Sequence, residues 1–275
     1  MPKPERIEVL ILVKAAPVVT DDLDETMCVA GARTDGDRPE WVRLHPVPFR
    51  DLEDDSRFKK YQKVSVDVIR SNTDRRPETR VPQEGSIVVG EWISSDNGWA
   101  QRRPFVEALG EYEMCDLVAR NKMGSGPEVP SLAVVRTKGR PRFVIQDLDS
   151  DKLERWKRRA EGARQRQSLF GSTTETKPPF EVVPFRFAYR YRCRNQRCGN
   201  DHDQTIIDQE VGSLWRHVRR RSNWRELMRQ TYEDKLWAGK DATLFVGNAF
   251  KYPASFMVLG VFSPPMGEVQ QSLRL

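Results

Sequence analysis

The sequence is poor in the features that define several large protein classes. It has 275 residues but only 4 cysteines, too few for the disulfide framework of a small secreted protein. No apolar run approaches the roughly 18 to 20 residues needed to cross a bilayer, and the N-terminus lacks the apolar core of a secretory leader. With 31% charged residues, we expect a soluble cytoplasmic protein with no membrane partner.

Short motifs of several enzyme classes are also missing. The sequence contains no P-loop, no GxGxxG, no GxSxG and no HExxH pattern. Their absence leaves P-loop nucleotide hydrolysis, dinucleotide redox chemistry, serine hydrolysis and zincin chemistry without support. The 38% hydrophobic content is nevertheless enough to bury a core. The length allows one large domain or two ordinary ones.

Positive charge is concentrated in one part of the chain. The whole sequence carries 46 Lys+Arg and 40 Asp+Glu. Residues 152–225 hold 18 basic and 8 acidic residues, a net of +10, and the remaining 28 basic and 32 acidic residues have a net of −4. Such asymmetry predicts a polyanionic partner, nucleic acid first. A solvated basic helix whose charges are balanced elsewhere in the fold is the alternative explanation.

The first hundred residues predict short strands with little helix between them. Residues 7–13 are nearly all apolar, as in a central strand covered on both faces. Strands also follow at 26–32, 41–44, 63–69 and 86–93. The third is closed by Pro46 and Pro48, which predict an edge or a rigid extended loop at 45–49. We therefore predict a small barrel at 1–100 of the OB, SH3-like or PUA-like kind, with strand order left open.

The rest of the chain alternates helices and strands, so the predicted fold class is α+β. A mixed segment at 101–171 contains a helix at 105–121, two strands and a basic helix at 151–170. Residues 172–180 are polar and end in two prolines, which predicts a linker. A C-terminal α+β domain at 181–275 begins with a strand at 185–192 that alternates aromatic and arginine residues. We expect the aromatic side of that strand to lie in the hydrophobic core. The alternative is that these rings are exposed and stack with nucleic-acid bases.

A zinc loop is predicted where this strand ends. Cys193, Cys198 and His202 offer two thiolates and an imidazole, which are preferred zinc ligands. The four-residue spacing between the cysteines is at the upper limit of the usual range. A fourth ligand is missing from the run, and we select His217, with Asp201, Asp203, Asp208 and distant Cys115 as alternatives. Isolated Cys115 otherwise suggests a buried inert thiol, and two free cysteines near an exposed histidine remain an alternative to zinc.

Arginines surround this loop and end one of the predicted helices. We predict that they contact nucleic-acid phosphates, DNA or RNA, mainly along the backbone. The residues selected are Arg155, Arg158, Arg159, Arg186, Arg190, Arg192, Arg194, Arg197, Arg219, Arg220 and Arg221.

Two alternatives to this function remain open. Asp208 and Glu210 follow a short apolar run, where a metal-dependent nuclease or another nucleic-acid-modifying enzyme would place acids. Acids at a helix N-terminus, however, need no catalytic explanation. The second alternative is a non-catalytic subunit whose basic face docks an acidic protein.

Overall fold

The structure is a computed structural model that describes residues 3–16, 26–49, 52–124, 129–169, 181–199 and 201–267. No helix in these ranges has the length and apolar character needed to span a bilayer. The predicted linker at 172–180 lies outside the described residues.

The N-terminal part is a closed five-stranded barrel. The strand order is β1-β2-β3-β5-β4, and β1 pairs with β4 to close the ring; β6 adds to β4 outside it. All barrel pairings are antiparallel except β3 with β5. This is an OB-like barrel. Its strands are β1 (Glu5–Lys14), β2 (Met27–Arg33), β3 (Glu40–Val47), β4 (Gln62–Arg70), β5 (Thr79–Pro82) and β6 (Val88–Trp92).

Strand β1 shows why this segment is apolar at nearly every position. Ile7, Val9 and Ile11 point into the barrel interior, where they pack with β2, β3 and β4. Leu10 and Leu12 point outwards into a second core, shared with the C-terminal part. Both faces are therefore covered, as the pattern of the segment predicts.

The C-terminal part consists of two sheets and several helices. One sheet has the order β11-β10-β9 and the other β13-β12-β8-β7. The strands are β7 (Glu111–Tyr112), β8 (Leu132–Val135), β9 (Arg142–Asp147), β10 (Phe185–Tyr191), β11 (His202–Thr205), β12 (Thr243–Ala249) and β13 (Tyr252–Phe262). The helices are α1 (Asp96–Trp99), α2 (Arg103–Ala108), α3 (Met114–Met123), α4 (Ser150–Leu169), α5 (Gln209–Val218) and α6 (Trp224–Arg229), with a π-helical turn at Gln230–Lys235.

The mixed segment and the C-terminal domain of the sequence prediction share a sheet. Strand β9 precedes the predicted linker and β10 follows it, yet the two strands pair from Asp147 with Phe185 to Arg142 with Arg190. One hydrophobic core takes residues from both sides, including Met114, Leu117, Phe187 and Trp215. Within the described residues, 101–169 therefore has no core separate from 181–267.

Three local details of the structure correct or extend the sequence expectations. The predicted helix at 105–121 is divided into α2, β7 and α3, because Gly110 has a φ of +73° that ends the first helix. The strand predicted at 41–44 extends to Val47 as β3; it pairs with β5 at Arg43 and Leu44, whereas Pro46 lies where only β2 is its neighbour, in agreement with an edge position there. Strand β5 was not predicted, because its four residues follow a run of charges that resembles a loop.

Candidate metal centre and basic surface

Three cysteines and one histidine meet at the end of the sheet that contains β10. The ligand atoms of Cys115, Cys193, Cys198 and His202 all lie within 4.8 Å of one another. The Cys115 and Cys193 Sγ atoms are 3.5 Å apart, and the His202 Nε2 is 3.5 Å from the Sγ of both Cys115 and Cys198. No disulfide joins them.

The three separations of 3.5 Å are compatible with a tetrahedral metal site. With Zn–S near 2.3 Å and Zn–N near 2.0 Å, the edges of a tetrahedron are roughly 3.5 to 3.8 Å long. Cys193 is buried and the other three are half-buried, so the cluster is largely closed to water. Burial together with the neighbouring thiols raises the pKa of Cys115 to about 12, and burial lowers the pKa of His202. A neutral imidazole is the form that binds a metal.

The local structure explains how these residues come together. Cys115 lies in the first turn of α3. The loop after β10 is tied to that helix by Asn195, whose backbone N–H donates to Glu113 (2.9 Å) and whose side chain donates to Asp116 (3.0 Å). The carbonyl of Asn195 accepts from the Cys198 N–H (3.0 Å), which closes the loop.

The fourth member of the cluster is Cys115 and not His217. His217 lies exposed on α5 and is not part of the group, so its selection as a ligand was wrong. Asp201 and Asp203 bind arginines instead. Cys115 is separated from Cys193 by 78 positions, so no spacing pattern in the sequence could show that the two meet.

The arginines of β10 lie on the outer face of its sheet. Arg190 donates through Nε to Asp203 (2.6 Å), and Arg186 forms an ion pair with the same carboxylate while donating to Gln146 (2.7 Å). Phe187, Tyr189 and Tyr191 point the other way and are buried in the core. The aromatic side of the strand is therefore core, and the stacking-platform alternative is wrong for these three residues.

The other selected arginines fall into two groups at opposite ends of β10. At one end are Arg192, paired with Asp201 at 3.1 Å, and the exposed Arg194 and Arg197 of the metal loop. At the other end, Phe185 packs against Trp215 and Trp224, and the C-terminus of α5 carries Arg219, Arg220 and Arg221. A seven-residue strand spans roughly 20 Å, so these groups form two separate basic sites.

More exposed arginines lie at the end of β10 that begins with Phe185. Arg219 forms an ion pair with Glu181 (2.6 Å), whereas Arg220 and Arg221 are exposed and pair with no described acidic residue. Helix α4 follows β9 directly, and its Arg155, Arg158 and Arg159 are all exposed. Sequence reasoning missed exposed Arg142 of β9, whose Cα is the register partner of Arg190.

Asp208 forms a buried ion pair with Lys60, and the exposed Glu210 pairs with the same lysine. The Lys60 Nζ is 2.7 Å from Asp208 Oδ2 and 3.0 Å from Glu210 Oε2, while Asp208 Oδ1 also caps α5 by accepting from the Glu210 N–H (3.1 Å). Burial acts to lower the pKa of Lys60, but the two carboxylates outweigh it and raise that pKa. Burial raises the pKa of Asp208. The lysine occupies the position between the acids that a catalytic cation would need.

Fold and site together define an α+β protein with an OB-like barrel and a Cys3His cluster. Residues 110–275 match a family model described as a domain of unknown function, DUF8757, and residues 5–108 match a second, DUF8758. The first match covers more than half of the chain, which therefore belongs to the DUF8757 family. No curated protein matches the sequence.

Two solved structures are similar over nearly the whole length. One is the Ifi202 HINa domain in complex with 20-bp double-stranded DNA, at 6% identity and a TM-score of 0.36, covering 97% of this chain and 99% of that one. The other is a murine DNA-binding protein bound to double-stranded DNA, at 8% identity and a TM-score of 0.31, covering 96% and 97%.

Proposed function

We propose that the protein binds nucleic acid through its phosphate backbone, using the arginines of residues 152–225. The observation that supports this proposal most directly concerns four exposed arginines. Arg194, Arg197, Arg220 and Arg221 form no ion pair with any described acidic residue. Unpaired guanidinium groups are available to phosphate oxygens, which they contact with two parallel hydrogen bonds. Their position at two ends of one sheet supports contact with two stretches of backbone.

Zinc is the second part of the proposal. Cys115, Cys193, Cys198 and His202 would hold the ion, and a closed tetrahedral site of this donor set is structural and not catalytic. Zinc would order the loop that carries Arg194 and Arg197, which presents those two side chains as a rigid pair. All four cysteines of the chain are free thiols. This supports a location in the cytoplasm, where glutathione and thioredoxin keep thiols reduced.

The zinc proposal is tested by metal analysis of purified protein. We expect one equivalent of zinc in the wild type and in Cys28→Ser or His217→Gln, whose residues lie outside the cluster. Cys115→Ser should lose most of the metal and lower the melting temperature. Wild-type protein purified without chelator that holds no zinc would overturn this part.

The nucleic-acid proposal is tested by binding to duplex DNA and duplex RNA across a salt series. For DNA, each lost phosphate contact reduces the slope of log K against log salt by about 0.9. We therefore expect Arg220→Ala/Arg221→Ala to flatten the slope by about 2. Arg38→Ala, an exposed arginine next to Glu40 on the barrel, is the control and should leave the slope unchanged. Absence of duplex binding at low salt would remove the proposal, and absence of single-strand binding as well would favour an acidic protein partner.

A further inference from the structure

The turn between β12 and β13 exposes two aromatic rings. Ala249 and Tyr252 are register partners, so Phe250 and Lys251 form a two-residue turn at the tip of the hairpin. Such turns usually contain Gly, Asn or Asp. Here 49% of Phe250 and 70% of Tyr252 is exposed, and hairpin folding alone does not require either ring.

This tip is held rigidly against the barrel. Arg76, from the loop between β4 and β5, donates to the Asn248 carbonyl (2.7 Å), and its guanidinium lies 5.8 Å from the Phe250 ring centroid. The buried Asn248 side chain donates to Asn121 and to the Pro253 carbonyl, each at 3.0 Å. The base of the turn is therefore anchored, and binding would not have to order a loose loop.

Exposed cations belong to the same end of the molecule. Arg75 precedes Arg76, Lys122 follows Asn121, and Lys251 lies in the turn itself; all three are exposed. None of them forms an ion pair with any residue that the structure describes. We call Arg75, Lys122, Phe250, Lys251 and Tyr252 the hairpin patch. It lies outside residues 152–225, so the charge pattern of the sequence did not indicate it.

We propose that the hairpin patch binds single-stranded nucleic acid, with bases stacked on Phe250 and Tyr252 and phosphates contacted by the three cations. Aromatic rings within a basic surface are the usual means of holding unpaired bases, because every base has a face that can stack. A lipid surface is less well matched to the patch. Among the described residues near it, Met123 is the one large aliphatic side chain that is exposed. The inference rests on the proposed function only in taking nucleic acid as the ligand.

The test compares binding of an oligothymidylate of about 12 nucleotides with binding of a duplex of equal length. We expect Phe250→Ala/Tyr252→Ala to weaken single-strand binding at least roughly tenfold, with duplex binding unchanged. Tyr252→Phe should bind like the wild type, because it keeps the ring. Val88→Ala removes an exposed apolar residue of β6 and serves as the matched control.

Lys251→Glu leaves both rings in place and should also weaken single-strand binding, which keeps the test valid if the double variant does not fold. Unchanged single-strand affinity in folded variants would overturn the inference. Loss of binding to vesicles of anionic phospholipid, with single-strand binding retained, would overturn it in favour of a membrane. If the wild type binds only the single strand, and does so through Phe250 and Tyr252, the duplex proposal fails and this inference stands.

Discussion

Lys60 joins the barrel to the C-terminal part through the carboxylates of Asp208 and Glu210. Removing the lysine leaves Asp208 buried without its counter-charge, a change that costs about 3 kcal/mol in comparable pairs. We expect Lys60→Met to lower the free energy of unfolding by about this amount. Lys60→Met/Asp208→Asn should recover part of the loss, because asparagine still caps α5. Urea unfolding of the wild type and the two variants measures the loss and its recovery.

The same pair has a defined pH dependence. Because the pKa of Lys60 is raised in the folded state, its stabilising contribution is fully present below the ordinary lysine pKa of 10.5. It is lost as the pH rises through the higher folded-state value. Equal stability of the wild type and Lys60→Met at neutral pH would contradict this account of the junction.

Asp203 limits how far two arginines of β10 are available to a ligand. We expect Asp203→Asn to tighten duplex binding severalfold, since it removes a negative charge and releases Arg186 and Arg190. Asp201→Asn, which releases Arg192 alone, is a graded comparison. Weaker binding by Asp203→Asn would show that the carboxylate positions the arginines instead of competing for them.

Stability should move in the opposite direction from affinity in this variant. Burial acts to raise the pKa of Asp203, but the two arginines outweigh it and lower that pKa. The ion pairs therefore stabilise the fold above the ordinary carboxyl pKa of 3.8, and that contribution is lost as the pH falls through the lower folded-state value. The difference between Asp203→Asn and wild type in urea should shrink in acid.

At the scale of single residues, local spacing was enough to find three of the four cluster members. Cys193, Cys198 and His202 lie in one loop, so their spacing carries the information. Cys115 is brought to them by the packing of α3 on the β-sheet, which no local pattern records. Lys60 was missed for the same reason, because it approaches Asp208 across 148 positions.

Among the elements, the segment around Gly110 shows most clearly where the sequence prediction and the structure differ. Its apolar spacing fits one long helix, yet α2 and α3 are separated by a turn and by β7. Gly110 has a φ of +73° and open space around the position of a Cβ. The apolar residues on each side do belong to helices. Gly110, which ends the first helix, has no side chain, so a hydrophobic pattern cannot reveal the break.

Replacing this glycine distinguishes the two conformations. In the structure, Gly110→Ala places alanine in a left-handed conformation, and we expect a loss of about 1 kcal/mol. In a continuous helix the same change would stabilise by a similar amount. Thermal unfolding gives the sign directly. Gly36→Ala, whose residue has no positive φ and whose Cβ would make only an ordinary contact with the Arg38 carbonyl oxygen at 3.8 Å, should have little effect.

For the molecule as a whole, the two family models meet near residue 109, but the cores do not separate there. Leu10 and Leu12 of the barrel pack with Leu132, Phe245 and Leu259 of the C-terminal part. Arg43 of β3 is buried and donates to Ser131 Oγ (2.8 Å) and to its carbonyl (3.2 Å). The barrel was predictable from its strands, whereas this shared core depends on contacts between distant parts of the chain.

We therefore expect a fragment of residues 1–109 to lack a cooperative unfolding transition by circular dichroism. Its outward β1 face would be exposed to water, which removes a large part of its apolar burial. Mixing it with a fragment of residues 110–275 should restore the transition. A fragment 1–109 that unfolds cooperatively by itself would show that the barrel is an independent folding unit.

The contact of β1 with β12 and β13 has a consequence during synthesis. The outward side chains of Leu10 and Leu12 are synthesised roughly 230 residues before their partners Phe245 and Leu259. At 5 to 20 residues per second, that apolar strip waits on the order of tens of seconds for its cover. Until those partners emerge, the nascent chain exposes an apolar strip of the kind that chaperones bind.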